Sequence, residues 1–195
     1  MKSKQLVFAT HNSNKVNEVR DLLKNRFDIL SLDDISISEE IKETGITFIE
    51  NAAIKANFVR DNYQLNCFAD DSGLEVAALN GAPGVYSARY AGEPCDYQKN
   101  NHLLLKNLLQ QKNRSARFIT IIALRLEDNL HFFEGSVEGK ISEEPRGNTG
   151  FGYDPLFIPD GFTKTFAEMS AEEKNKISHR SRAVNKLVDF LKKIA

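Results

Sequence analysis

The chain has 195 residues, 41% of them hydrophobic, which is enough for one soluble domain with a sizeable core. Its 26 lysines and arginines nearly balance 27 aspartates and glutamates, so a net charge of −1 argues against a general affinity for nucleic acid. No apolar run reaches the ~18 residues of a membrane span, and no signal-peptide pattern is present. We therefore expect a single domain over residues 1–195, in the cytoplasm, with no nucleic-acid or membrane partner.

A short apolar segment near the start of the chain ends in a polar turn. Residues 4–10 predict a strand, and the apolar spacing over residues 16–23 predicts a helix after it. Such a turn presents backbone N–H groups and a positive helix dipole to an anion. The segment Thr10-His11-Asn12-Ser13-Asn14-Lys15 therefore indicates a phosphate site, in which Lys15 needs a negative ligand and Asn14 tolerates a left-handed backbone. An ordinary Asn or Ser helix cap explains the same residues equally well.

A second strand is predicted over residues 27–32, followed by an acidic segment without regular structure. The sequence Thr47-Phe48-Ile49-Glu50 fits a capping box and predicts a helix over residues 48–63. Asn51 and Lys55 lie one turn apart, so they project from one face of that helix. Taken alone, the pair favours a solvated helix face over a functional site.

The apolar run over residues 65–69 predicts a strand that leads into Asp70-Asp71-Ser72-Gly73. Two carboxylates at a strand end could hold Mg²⁺, which takes one or two carboxylates and shares its other positions with water and substrate oxygens. Alone, the segment favours an Asp-Ser-Gly turn between two strands. The glycine-punctuated Gly81 to Gly92 is predicted to be a long loop without regular structure, typical of a functional segment.

The second half of the chain predicts a different kind of sheet. Asp96 is expected to cap a helix over residues 97–111, and two β-rich segments, 116–127 and 130–141, predict an antiparallel hairpin. Strand–helix segments followed by a hairpin favour a mixed sheet.

Two further segments carry polar and aromatic residues. Residues 143–155 place three glycines around Phe151 and Tyr153, which lets the backbone approach a ligand and a ring stack on it, although a plain connection is the alternative. A capping box over residues 170–173 begins a helical segment, and an amphipathic helix follows through residues 184–191.

Together these segments supply the groups that phosphate transfer requires. They are the carboxylates Glu43, Asp70 and Asp71, the cations Lys15, Lys55, Lys174 and Arg180, the ring of Phe151, predicted to be exposed, and His179. The chain has no Walker-type loop, no His-Glu-x-x-His, no Gly-x-Ser-x-Gly and no Gly-x-Gly-x-x-Gly after a strand. The lack of these motifs argues against the common ATPases, metalloproteases, serine hydrolases of the Gly-x-Ser-x-Gly type and enzymes that use a dinucleotide cofactor.

Five segments resemble the inosine triphosphate pyrophosphatase family, which removes non-standard purine nucleotides such as ITP, dITP and XTP. They are residues 9–15, 43–52, 69–74 with 81–92, 150–155 and 173–180, in the family's order. Two positions depart from the commonest pattern, because Asn14 stands where glycine is frequent and Lys42 where many members carry a second acid. The resemblance implies an α/β fold with a long, bent mixed β-sheet flanked by helices, two lobes with a central substrate cleft, and a homodimer.

The resemblance also implies hydrolysis of a nucleoside triphosphate to the monophosphate and pyrophosphate with Mg²⁺. Asp71 is then the general base and a metal ligand, Glu43 is a further metal ligand, and Ser72 contacts phosphate. The segment Thr10 to Lys15 would hold the triphosphate, assisted by Lys55.

For the base, the resemblance points to a set of seven residues: Phe151, Gly152, Tyr153, Asp154, Lys174, His179 and Arg180. Hypoxanthine and xanthine present an acceptor oxygen at position 6, which Lys174, His179 or Arg180 could meet as donors. Adenine presents a donor there instead and would leave buried donors unpaired.

Two other classes stay open at this point. A sensor that binds triphosphates without hydrolysing them would use the same glycine-rich surfaces, although the intact carboxylates argue against it. An RNA-binding module would use the basic segment over residues 174–182, which the near-neutral net charge makes a poor candidate.

Overall fold

The computed structural model describes residues 4–23 and 27–193, and within them it has a mixed α/β fold in which helices flank a six-stranded sheet. The strands are β1 (Lys4–Phe8), β2 (Phe27–Ser31), β3 (Cys67–Val76), β4 (Ser115–Leu126), β5 (Asn129–Ile141) and β6 (Phe157–Pro159). The α-helices are α1 (Ser13–Leu23), α2 (Phe48–Tyr63), α3 (Tyr97–Asn107), α4 (Ala171–Ile177) and α5 (His179–Lys193). None of these helices combines the length and apolar character of a membrane span in the described part of the chain.

The sheet has the strand order β2-β1-β3-β4-β5-β6, and its pairings confirm the predicted mixed sheet. Strand β1 pairs in parallel with β2 and β3, whereas β5 pairs antiparallel with β6. Strands β4 and β5 are neighbours joined by Glu127 and Asp128, as the predicted hairpin requires, and Glu127 adopts a left-handed φ of 50°.

The chain forms two compact units, and the boundary between them falls inside β3, β4 and β5. The first unit comprises the described parts of Met1–Asp71, Thr120–Gly135 and Arg180–Ala195, and the second comprises Ser72–Ile119 and Ser136–His179. Each unit has a hydrophobic core of its own. The single-domain expectation stays a prediction.

Aromatic rings lie within both cores. In the first unit the rings of Phe8 and Phe68 stack at 4.5 Å among the apolar residues of α1 and α5. In the second unit the rings of Phe118 and Phe157 lie 4.7 Å apart, beside Leu74 and Leu104. Each sheet region is therefore backed by its own packed apolar layer.

Strand β3 differs from its prediction in a way that matters for the site. The sequence ended the strand at Ala69 and favoured a turn over Asp70 to Gly73, but the strand continues unbroken to Val76. The Asp-Ser-Gly turn is therefore wrong. The carboxylates can be buried within a strand because cations and an amide from distant segments bond to them, as described below.

Three smaller predictions need correction. Asn14 is the second residue of α1 and does not adopt a left-handed backbone. Helix α3 is capped by Asp96 as expected but ends at Asn107 rather than at residue 111. The loop Gly81 to Gly92 was predicted to lack regular structure but contains a 3-10 helix over Gly84–Arg89. Asn100 bonds this loop, because its Nδ2 donates to the carbonyl oxygen of Ala88 and its Oδ1 accepts from the N–H of Ala91.

The two cysteines are both free. Cys67 is buried at the start of β3 and donates its thiol hydrogen to the carbonyl oxygen of Ala56 at 3.3 Å. Cys95 is exposed.

Helix α2 has the bounds that the sequence predicted, and its capping box is formed. The backbone N–H of Glu50 donates to Thr47 Oγ1 at 3.2 Å, while Glu50 Oε2 accepts from the N–H of Thr47.

We expect Thr47→Ala to lower the free energy of unfolding by about 1 kcal/mol, measured by urea denaturation. Thr44→Ala, an exposed threonine in the same segment outside the cap, is the control, and an equal loss from it would contradict the assignment.

Candidate active site

The turn between β1 and α1 is held by its own side chains. Asn12 Oδ1 accepts from the backbone N–H of Asn14 at 3.1 Å and of Lys15 at 3.2 Å, so Asn12 caps α1. The N–H of Asn12 donates in turn to Thr10 Oγ1 at 3.2 Å. The helix cap that the sequence left open is therefore present.

The cap changes which groups of this turn can meet an anion. The N–H groups of Asn12, Asn14 and Lys15 are bonded within the segment, and that of Thr10 donates to the carbonyl oxygen of Phe8 at 2.8 Å. Those of His11 and Ser13 have no hydrogen-bond partner among residues 4–23 and 27–193. Both stand at the positive end of the α1 dipole, where a negative ligand is favoured. The turn is thus suited to bind a phosphate through the backbone N–H groups of His11 and Ser13.

Asp70 is bonded through both carboxylate oxygens. Oδ1 accepts from Lys15 Nζ at 2.8 Å, and Oδ2 accepts from Nε and Nη2 of Arg180, each at 3.2 Å. Arg180 also bonds Glu18. Burial alone would raise the pKa of Asp70, but the charges of Lys15 and Arg180 hold it well below its usual range. Asp70 is therefore an ionised anchor that fixes Lys15 beside the α1 N-terminus.

Glu43 and Asp71 meet at the ammonium group of Lys55. Lys55 Nζ donates to Glu43 Oε1 and lies 4.0 Å from Asp71 Oδ1. Lys55 is only 7% exposed, so the predicted solvated face of α2 is wrong. Burial raises the pKa of Asp71 to about 6, although the charges of Lys55 and Lys15 oppose that rise. A carboxylate with a pKa near neutrality is suited to accept a proton.

Asn51 is a residue of this cluster to which the sequence assigned no role. Its Nδ2 donates to Asp71 Oδ2 at 3.1 Å, and its Oδ1 accepts from the backbone N–H of Gly45 at 2.8 Å. The one available signal was its position one turn before Lys55, on the same face of α2.

The residues of this cluster fit a magnesium ion. Glu43 and Asp71 offer hard oxygen donors that converge on one cationic group, and Mg²⁺ is commonly held by one or two carboxylates. Residues 4–23 and 27–193 contain no group of three or more His, Cys, Asp or Glu side chains that could hold a metal.

A second cluster lies in the second unit, around Lys174. Lys174 Nζ donates to Asp154 Oδ2 at 2.7 Å and lies 5.3 Å from the ring centroid of Phe151 and 5.5 Å from that of Phe166. Asp154 Oδ2 also accepts from the backbone N–H of Phe151 at 2.9 Å. Phe151 is half-buried, not exposed as predicted. A Cβ at Gly150 would lie 2.1 Å from Asp154 Oδ2, so this turn requires glycine.

The other residues predicted to bind substrate lie around these two clusters. Tyr153 is buried and donates its hydroxyl hydrogen to the carbonyl oxygen of Ser87 at 2.9 Å. The carbonyl oxygen of Gly152 accepts from Asn101 Nδ2 at 3.0 Å. His179 is buried with its ring stacked on Phe118 at 4.6 Å. Ser72 is half-buried in β3, and Arg180 belongs to the first unit with Asp70.

The fold and the first cluster define an α/β protein with buried carboxylates and lysines beside a helix N-terminus. The sequence model of the Ham1 family matches residues 6–190, and the chain belongs to that family. This confirms the resemblance found in the sequence.

Similar proteins of known name extend this result. A relative from Christiangramia forsetii, named dITP/XTP pyrophosphatase, is 53% identical over 189 residues, which cover 97% of this chain and 100% of the relative. A Porphyromonas gingivalis protein of the same name is 53% identical over 188 residues, covering 96% and 97%. The solved structure of the Staphylococcus aureus Ham1 protein superposes with a TM-score of 0.89 at 38% identity, covering 98% of this chain and 100% of that one.

The adjacent aspartates should respond differently to the same substitution. Asp70→Asn leaves Lys15 and Arg180 buried without their shared carboxylate, and we expect a loss of about 3–5 kcal/mol in the free energy of unfolding at pH 7. Asp71→Asn replaces a carboxyl whose ionisation the fold opposes, so we expect a change below about 1 kcal/mol. Urea denaturation of both variants measures the difference, and equal losses would contradict the anchor role of Asp70.

His11 connects the turn after β1 to the acidic segment. Its Nδ1 lies 2.6 Å from Asp33 Oδ1 and its Nε2 3.1 Å from the carbonyl oxygen of Glu39. Both partners are acceptors, so both contacts are hydrogen bonds when each ring nitrogen carries a proton, as in the imidazolium form. Partial burial lowers the pKa of His11, but the bonds to Asp33 and Glu39 outweigh it and the pKa is raised.

A raised pKa in the folded protein means that this contact stabilises the fold at low pH and loses its effect as pH rises through the folded pKa. We expect the imidazole of His11, followed by NMR, to titrate above the ordinary histidine value. Asp33→Asn should shift the titration downward. An unshifted titration of His11 would contradict the role of these two contacts.

Proposed function

We propose that this protein hydrolyses non-canonical purine nucleoside triphosphates, ITP, dITP and XTP, to the monophosphate and pyrophosphate. The observation that carries the proposal is the pairing of Asp71 with Glu43 and Lys55 beside an anion-binding helix N-terminus. Full-length relatives named dITP/XTP pyrophosphatase support the choice of substrates.

The triphosphate binds to residues of the first unit. The N–H groups of His11 and Ser13 meet phosphate oxygens at the N-terminus of α1, and Lys15 adds positive charge held in place by Asp70. The side chains of Asn12 and Thr10 contribute by fixing the shape of this turn. Lys55 acts as a further phosphate contact in this proposal, and the family resemblance adds Ser72, the residue after Asp71 in β3.

The reaction is an in-line displacement at the α-phosphorus. A water oxygen bonds to phosphorus, the bond from phosphorus to the bridging oxygen of pyrophosphate breaks, and the water proton passes to Asp71. Glu43 and Asp71 would hold Mg²⁺, which when bound neutralises charge on the phosphates. The pKa of about 6 keeps Asp71 largely ionised at neutral pH while leaving it basic enough to accept the proton.

The base binds to residues of the second unit. The ring of Phe151 provides a stacking surface, and the turn over Gly152 to Asp154 lets backbone approach the base edge. Lys174 and His179 act as donors toward the oxygen at position 6 of hypoxanthine or xanthine. Arg180 is the third predicted donor, and its guanidinium also bonds Asp70 and Glu18.

The proposal includes a homodimer, which the family resemblance implies, and a location in the cytoplasm, which the sequence analysis predicts. The segment Gly81 to Gly92 is our candidate for the contact between subunits, since Tyr86 is 55% exposed there and Arg89 lies 5.3 Å over its ring. The alternative of a non-hydrolysing sensor has no support among the relatives, which are named as pyrophosphatases.

Release of pyrophosphate from ITP, XTP, dITP, ATP, GTP and dTTP tests the proposal. With Mg²⁺ we expect turnover of the first three and little of the others, and chelation of the metal should abolish it. Asp71→Asn should reduce turnover by about 10²–10⁴-fold because the proton acceptor is lost. Asp61→Asn, on the exposed part of α2, is the matched control.

Three results would overturn the proposal. Comparable turnover of ATP and ITP would show that the protein does not distinguish bases by the group at position 6. Full activity of Asp71→Asn would show that Asp71 is not the proton acceptor. Tight binding of ITP without pyrophosphate release would establish the sensor instead.

A further inference from the structure

Asn51 is completely buried, with 0% of its surface exposed, and its side chain makes two hydrogen bonds of opposite polarity. The backbone N–H of Gly45 can only donate, so the carbonyl oxygen of the Asn51 amide must face Gly45. The NH₂ group therefore faces Asp71, and the orientation of the amide is fixed by chemistry.

Gly45 has the residue type that this contact requires. A Cβ at position 45 would lie 2.7 Å from Asn51 Oδ1 and 2.6 Å from the Cβ of Glu50, closer than real side chains approach. The following residues are fastened as well, since Glu50 Oε2 accepts from the N–H of Ile46 at 2.7 Å and of Thr47 at 3.2 Å. Asn51 is thus held by a rigid start of α2.

This arrangement gives the two oxygens of Asp71 different neighbours. Oδ2 accepts from the neutral amide of Asn51, and Oδ1 faces the ammonium of Lys55 at 4.0 Å, on the side where Lys55 bonds Glu43. A bond to Oδ2 prevents rotation of the carboxylate and keeps Oδ1 on the Glu43 side. Groups that orient a reactive carboxylate in this manner commonly affect its reactivity more than binding.

We propose that Asn51 is a positioning residue for Asp71, which through its Nδ2–H fixes the carboxylate in the rotation needed for proton transfer. This inference rests on the proposed function, because it assigns Asn51 a part in the reaction of Asp71. It also assigns a different role to each hydrogen bond of Asn51. The bond with Gly45 orients the amide, and the bond with Asp71 affects turnover.

Two substitutions at this position distinguish the bonds. Asn51→Asp has nearly the same shape and keeps an oxygen to accept from Gly45, but an ionised carboxylate can only accept and so cannot donate to Asp71. Asn51→Ala loses both bonds. Asn62→Asp makes the same chemical change on the same helix and is the matched control, because Asn62 is exposed and its Nδ2 donates to the carbonyl oxygen of Phe58.

The measurements are kcat and KM for ITP at saturating Mg²⁺, the Kd of an imido analogue of ITP that resists hydrolysis, and the thermal midpoint of unfolding. For Asn51→Asp we expect kcat to fall by about 10–100-fold while KM and Kd change by less than about threefold. Asn51→Ala should lose kcat to a similar extent and also unfold at a lower temperature. Asn62→Asp should match the wild type in all four.

Each contrary result has a distinct meaning. Wild-type kcat in Asn51→Asp with a loss confined to Asn51→Ala would overturn the inference, because the bond to Gly45 alone would then matter. Parallel changes in kcat, KM and Kd would also overturn it, since they indicate a merely structural role. If the wild type releases no pyrophosphate from any of these nucleotides, the proposed function fails and this inference fails with it.

Discussion

The burial of two adjacent carboxylates in one strand is the constraint on which the site depends. Asp70 and Asp71 are neighbours in β3, so their side chains leave the strand on opposite faces, and each accepts hydrogen bonds from different residues. Each buried carboxylate is costly unless a cation or donor meets it. Lys15 of α1 and Arg180 of α5 bond Asp70, whereas Asn51 of α2 bonds Asp71 and Lys55 of the same helix lies 4.0 Å from it. The packing of these three helices on β3 therefore depends on the two carboxylates.

Different surroundings give the two aspartates different chemistry. Asp70 has a cation bonded to each oxygen and a pKa below the usual range, which suits a permanently charged anchor. Burial raises the pKa of Asp71 to about 6 and the nearby charge of Glu43 adds to the rise, although Lys55 at 4.0 Å and the neutral amide of Asn51 oppose it. Separation of pKa values between two carboxyls of the same type is a recurrent way to divide roles in an active site.

Local signals in the sequence were sufficient for most of the fold. The capping box at Thr47 gave the bounds of α2, and the apolar patterns gave the mixed sheet, because these features depend on residues close in the chain. The continuation of β3 through Asp70 and Asp71 could not be foreseen, since two acids favour a turn until their partners are known. Those partners are 55 and 110 residues away for Lys15 and Arg180, so only the tertiary structure brings them together. Asn51 was missed for the same reason.

Cys67, at the start of the strand that carries both aspartates, has a consequence for oxidation chemistry. Burial raises the pKa of its thiol to about 12, so almost no thiolate exists at neutral pH. The thiolate is the species that oxidants and alkylating reagents attack, so the Cys67 thiol at the start of β3 is unreactive towards both. Cys95 is exposed by contrast, and a thiol-directed fluorophore or spin label would attach there while leaving the strand of the site unmodified.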